Sequence, residues 1–346
     1  MKRLLFMILL IAVSASSQDK ASPETNNNKN SDHISLPERE GPGKGKHIVL
    51  LAGDEEYRSE EALPMLAQVL NQHGFKCTVL FSIDKKSGLV DPNNQKSLSN
   101  PSALDTADLL IMSLRFRNWN DSTMQKFENA LLRGVPLIGL RTTTHAFKFP
   151  KNSKWFKYST NASKASGWHR GFGREIMGET WVNHHGRHKV EGTRSFIEEA
   201  NKAHEILNGV GTIFGTTDVY GARPDMSKCK VLLRGGVTKT LKPDSALVEG
   251  RKNNPMQPIA WIRNYKHSNG KSNKVFTTTM GSSRDLLSES LRRIVVNAAY
   301  WGLDMKIPKK ANVDIPGDYQ PTEYSFRRNK MGKKPVDYLV KPKSEK

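Results

Sequence analysis

The feature that most constrains this chain is an alternation that starts at His47. HIVLLAG carries no charge after its histidine and ends in Gly53, which suits a strand buried on both faces. SEEALPMLAQVLNQHG follows at helical spacing. Ser59 is its expected N-cap, Glu60 and Glu61 suit the first turn, and Gly74 closes it. KCTVLF reads as a second strand, ADLLIMSL as a third, DSTMQKFENALLRG as a capped helix and VPLIGL as a fourth strand. Units of this kind imply parallel strands joined by right-handed crossovers. Later, KVLLRGG, PIAWIRNY and KVFTTTMG alternate apolar residues like strands. DLLSESLRRIVVNAAYWGL closes the domain as a helix with Leu287, Leu291, Ile294, Val295 and Ala298 on one face.

With 346 residues, 36% of them hydrophobic, the chain can bury a real core, which excludes wholesale disorder. Two cysteines exclude a disulfide scaffold and a Cys-rich zinc module. Cys77 and Cys229 sit in separate apolar runs and read as buried thiols. The formal charge of +20 fits acidic polysaccharides; it permits nucleic acid too, but no recognition motif is present.

Residues 1–17 place Lys2 and Arg3 before an apolar run and then small residues, the order of a secretory signal peptide. The expectation is export, to the periplasm or beyond, with no membrane attachment after cleavage. Residues 18–45, rich in Asn, Ser, Pro and Gly, read as a flexible leader, residues 46–305 as one domain, and 306–346 as a basic tail, either a surface strap or partly disordered.

In open α/β sheets ligands sit beyond the carboxyl ends of the strands. The loops leaving them here are GDEEYR, RFRNW and RTTTHAF. They offer Asp54, Glu56, Tyr57, Arg58, Arg115, Trp119, Arg141 and His145, with donors, acceptors and stacking faces for a sugar, or simply ordinary loop polarity. The densest constellation is GETWVNHHGRH, with Glu179, Trp181, His184, His185 and His188. The three histidines suit a divalent metal, metal-free acid/base work, or structural hydrogen bonding; the spacing alone leaves all three open. His204 reads as a helix-flank residue. In TTDVYGARP, Asp218 could orient a histidine, bind a hydroxyl or make an Asx turn, with Tyr220 beside it. MGSSRD offers a helix N-terminus, for an anion or for plain capping.

Residues 46–305 resemble the ThuA-like (trehalose-utilisation) family. The resemblance rests on the order of HIVLLAGDEEYRSEEALPML, VPLIGLRTTTHAF, GETWVNHHGRH, AHEILNGV, PIAWIRNY, KVFTTTMG and AAYWGL; the chain is most similar to exported bacterial members. It implies a flavodoxin-like, three-layer α/β fold with a mostly parallel sheet, like class I glutamine amidotransferases. Two departures stand out. The run after the fourth strand, Gly139-Leu140-Arg141-Thr142-Thr143, holds no Cys or Ser where amidotransferases carry their nucleophile, so thiol-ester chemistry is not expected. Gly281-Ser282 also stands where many members read Gly-His. The resemblance further implies carbohydrate utilisation: acid/base processing of keto-glycosides or trehalose-type sugars as a lyase, isomerase or hydrolase. His184 or His185 and Glu179 would then be base and acid, Arg141 would hold the oxygen, and Asp218 would assist. The alternatives are a glycan-binding protein without catalysis, and a metal-dependent hydrolase built on the histidines.

Overall fold

The computed structural model describes residues 31–327 and 331–342. The expected signal peptide and the leader up to residue 30 lie outside the described residues, as do 328–330 and 343–346 of the tail. Twelve strands occur among the described residues: β1 (His33–Leu36), β2 (His47–Gly53), β3 (Lys76–Phe81), β4 (Leu109–Leu114), β5 (Leu137–Leu140), β6 (Asn183–His184), β7 (Thr193–Ile197), β8 (Phe214–Gly215), β9 (Tyr220–Gly221), β10 (Lys230–Val237), β11 (Gln257–Lys266) and β12 (Ser272–Thr278). The helices are α1 (Ser59–Asn71), α2 (Asp121–Leu132), α3 (Gly171–Glu175) and α4 (Glu289–Gly302).

Ten strands form one sheet in the order β1-β3-β2-β4-β5-β12-β11-β10-β7-β8, and β6 pairs with β9 alone. From β3 to β12 every pairing is parallel. The pairings outside that block are antiparallel, with β1 on one side and β11, β10, β7 and β8 on the other. The sheet is therefore mixed, which corrects the expectation of a mostly parallel one. The reason lies in the connections. A parallel crossover needs a dozen or more residues, usually a helix, whereas the turn between β11 and β12 is far too short for one.

Strand β2 is buried along its whole length, and its side chains alternate between two cores. Ile48, Leu50 and Ala52 join α1 and α4 on one face. Val49 and Leu51 join Phe127 and Leu131 of α2, together with Phe147 and Phe172, on the other. The layers are thus helix, sheet, helix, with α1 and α4 opposite α2. Ser59 does not cap α1. The N-cap is Arg58, in a left-handed conformation, while the Ser59 hydroxyl accepts from the backbone N–H of Asp54. Gly74 ends that segment at φ +96°, where a side chain would be strained. Leu287 stays 45% exposed, off the apolar face of α4.

Two terminal segments are more integrated than their composition suggests. Within the expected flexible leader, His33–Leu36 forms an edge strand against β3. In the tail, Tyr324 and Tyr338 are buried, and Thr322 donates to both carboxylate oxygens of Glu61, each at 2.7 Å. The stretch from residue 306 to 327 is a strap laid over α1 and the loops beyond the strand ends. Both cysteines are buried and unpaired, as expected.

Candidate functional site

The site is organised around Asp218, just before β9 and fully buried. Its Oδ2 accepts from His184 Nδ1 at 2.7 Å and its Oδ1 from His188 Nδ1 at 3.1 Å. The pairing of β6 with β9, His184 opposite Tyr220, sets this geometry. Behind the carboxylate lies Arg141, the first residue after β5, strained at φ +42°. Its guanidinium donates to Asp218 Oδ1 at 2.9 Å, to the carbonyls of Asp218 (2.7 Å) and Thr279 (2.8 Å), and to the Tyr57 hydroxyl at 3.2 Å. It also lies 3.6 Å from the centroid of the Tyr220 ring and 4.7 Å from that of Tyr57.

These contacts set the charges. Burial pushes the Asp218 carboxyl up, but Arg141 and the two histidine hydrogen bonds outweigh it and hold the group well below the usual carboxylate range. His188 is held between two carboxylates, Asp218 at Nδ1 and Glu56 Oε1 at 3.3 Å from Nε2. Those hydrogen bonds push its pKa up to about 9, so it is a cation at neutral pH. His184 differs: its Nδ1–H is committed to Asp218, and Nε2 keeps a lone pair with no protein partner among the described residues. The two rings lie 4.8 Å apart. A base and a cation thus stand side by side, oriented by one carboxylate.

In front of them is a cavity of about 370 Å³ lined by Glu56, Arg115, Phe116, His145, Trp181, His184, His188, Tyr220 and Phe326. His145 is buried; burial first, then the Arg115 and Arg141 charges, hold it neutral, well below its ordinary value. Arg115 is anchored on Glu55 and lies 3.7 Å from Glu56. Glu55 is held in turn by the buried Arg117. Aromatic faces on several sides, with a carboxylate and imidazoles at the base, match what a sugar ring requires.

The remaining expected site residues lie elsewhere. Trp119 is buried in the second core, edge-on to Phe127 and Phe147, because the RFRNW loop turns inward after Arg117. His185 turns away, with Nε2 2.8 Å from the Lys252 carbonyl, so Asp218 replaces it in the cluster. Glu179 is buried and consumed by Arg174, Thr180 N–H and Arg223 N–H; it cannot act as the acid. Arg141 is saturated and sealed behind Asp218, so it positions that carboxylate and does not hold a substrate oxygen. Tyr57 stands behind the wall with it. Asp54 accepts from the N–H groups of Glu56 and Tyr57 and from Thr142, shaping the first loop. Arg58 lies buried under the strap, its Nε 3.2 Å from Thr322. In MGSSRD, Ser282 and Asp285 cap each other's backbone N–H groups, so capping prevails over an anion site. Phe116, Tyr324 and Phe326 are the lining and supporting residues the sequence analysis passes over. Their signal was available in two aromatics within a Lys- and Pro-rich tail, and in a phenylalanine between two arginines.

His184, His188 and Asp218 bring possible ligand atoms within 4.8 Å of one another. A tetrahedral zinc ion, with bonds near 2.0–2.1 Å, would hold its ligand atoms about 3.3 Å apart. The 2.7 Å and 3.1 Å separations here are hydrogen-bond lengths, and Arg141 already balances the carboxylate. The cluster therefore fits protons better than a metal ion.

No family model matches this chain, and no curated protein matches it. Among solved structures, it is similar to a putative ThuA-like protein from Parabacteroides merdae at 13% identity. That match covers 82% of this chain and 98% of that one, with a TM-score of 0.48. The exo-beta-1,4-mannosidase Op5Man5 from Opitutaceae bacterium strain TAV5 matches at 10% identity over 74% of this chain and 35% of that one, with a TM-score of 0.33. The N-terminal domain of mmIFT52 matches at 13% identity over 75% and 98%, with a TM-score of 0.35.

Proposed function

We propose that this chain is an exported, ThuA-like carbohydrate-processing enzyme that works by metal-free acid/base chemistry on a keto-glycoside. The observation that carries the reading is Asp218 holding both His184 and His188 through Nδ1 at the base of an aromatic cavity. Export follows from the signal-like order of residues 1–17, and the sugar class from the family resemblance together with the cavity's stacking faces.

His184 Nε2 takes the proton from the carbon beside the substrate carbonyl, and Asp218 stabilises the imidazolium that forms. The enolate oxygen then develops negative charge, which the His188 cation offsets; Glu56 and Asp218 keep that cation in place. His184 returns its proton either to the neighbouring carbon, giving an isomer, or to the glycosidic oxygen as the enolate expels it, giving elimination. Trp181, Tyr220 and Phe116 supply the faces against which the ring lies.

The test is turnover of a keto-glycoside panel, followed by mass spectrometry, with native protein and His184→Ala. Loss of about 10²-fold or more in the variant is expected. Equal turnover by both would overturn the mechanism, and sugar binding without any product would make the chain a glycan-binding protein.

A further inference from the structure

Phe326 is an anomaly in the strap. It is a large apolar side chain, 45% exposed, at the mouth of a cavity rather than in a core. Its ring lies 4.9 Å from the Arg115 guanidinium, and Phe116 lies 4.5 Å from the same guanidinium. The residues just before it are fixed to the machinery of the site. Ser325 N–H donates to the Glu56 carbonyl at 3.0 Å, and Lys189 Nζ donates to the Ser325 hydroxyl at 3.1 Å. Tyr324 stacks on Tyr57 at 5.1 Å, meets the His188 ring at 5.6 Å, and donates its hydroxyl to the Thr216 carbonyl at 3.0 Å. A chain held this firmly on both the Glu56 loop and the histidine segment presents Phe326 at a defined place, and the uncovered part of its ring is surface that an occupant would bury.

We propose that Phe326 is a ligand-contacting residue, the outer wall of the cavity, against which the ring of a bound sugar packs opposite Trp181. The tail is then part of the binding site rather than a covering, and Phe326 sets the size of sugar that enters. This rests on the sugar reading above.

Two measurements separate the inference from that reading. The first is binding of a keto-glucoside and of trehalose to native protein, Phe326→Ala and Phe326→Tyr. The Ala variant is expected to bind the keto-glucoside about tenfold more weakly and the Tyr variant to retain native affinity, since an aromatic face is what is lost. Equal affinity in native and Ala protein would overturn the inference while leaving the sugar reading standing. The second needs no ligand. His145 is neutral and only 4% exposed at the back of the cavity, whereas His169 is exposed far from it. Carbethoxylation by diethyl pyrocarbonate, mapped by peptide mass, is expected to speed up several-fold at His145 in Phe326→Ala and to stay unchanged at His169. If native protein binds no sugar, the sugar reading falls and this rate decides the wall: acceleration at His145 supports it, and an unchanged rate overturns it.

Discussion

Replacing Asp218 by Asn keeps the shape of the side chain and removes one charge, and three consequences can be worked from the structure. Arg141 is fully buried, and Asp218 is the carboxylate its guanidinium pairs with. Leaving such a cation uncompensated costs about 3–5 kcal/mol, which urea unfolding reads as a lower midpoint at constant slope. Next, His188 loses one of the two carboxylates that raise its pKa from 6.5 to about 9. A raised imidazole stabilises the fold fully below its unfolded value, and that contribution fades as pH rises through the folded value. Native stability therefore declines from about pH 6.5 to pH 9, by at most about 3.4 kcal/mol. With the His188 side chain 29% exposed, solvent screening brings this to about 2 kcal/mol. Asp218→Asn flattens that decline, and an NMR titration of the His188 ring moves toward the ordinary value. Finally, the amide N–H₂ must face a histidine Nδ1, which forces the opposite tautomer. If it faces His184, Nε2 becomes a donor and the base is lost; an analogous carboxylate-to-amide change elsewhere costs on the order of 10⁴ in rate. The decisive control is Arg141→Met combined with Asp218→Asn, which removes both charges and recovers stability relative to Asp218→Asn alone. If His188 still titrates near 9 in folded Asp218→Asn, or the double variant recovers nothing, the account of this cluster is wrong.

Glu60 is buried, with no hydrogen-bond partner for either carboxylate oxygen among the described residues, and burial pushes its pKa up to about 8. The proton-bound form is the one the fold favours, so its contribution is lost as pH rises from about 4.5 toward 8; Glu60→Gln removes that part of the pH dependence in urea melts, and an unchanged profile would refute it. Trp119→Ala empties a core site and lowers stability by about 3–5 kcal/mol with sugar affinity unchanged; a selective loss of affinity would return Trp119 to the site. Elemental analysis of protein purified without a His-tag is expected to show less than stoichiometric transition metal. Stoichiometric zinc that disappears in His184→Ala would replace the acid/base mechanism with a metal site.

The parallel block was legible because long apolar runs alternating with helical spacing leave few other arrangements. Every strand and helix from β2 to β5 lies where that alternation expects it. The antiparallel extension was visible only as strands, since apolar alternation carries no direction. Direction came from connection length, as in the tight turn between Lys266 and Ser272. At the site, residue type marked the right loops but not which side chains face the cavity. His184 and His185 are adjacent with identical chemistry, and only the pairing of β6 with β9 turns one to Asp218 and the other to Lys252. Glu179 and Arg141 looked free because their partners, Arg223 and Asp218, are 44 and 77 residues away in sequence. Phe326 was hidden by its neighbours, since a basic, proline-bearing tail gives no sign that one aromatic in it reaches back to a loop at residue 115.

Arg141 also bears on how the protein responds to heat. Its guanidinium touches Tyr57 from the loop after β2, Asp218 before β9 and the Thr279 carbonyl after β12, so one side chain rivets the parallel block to the segments beyond it. The same side chain supplies the positive charge that keeps Asp218 ionised. Mechanical integrity and chemical readiness therefore share a single joint. Warming that lets the two regions breathe apart breaks the histidine alignment while both hydrophobic cores are still intact, so the working temperature of this protein is set at the rivet, below the temperature at which the sheet itself melts.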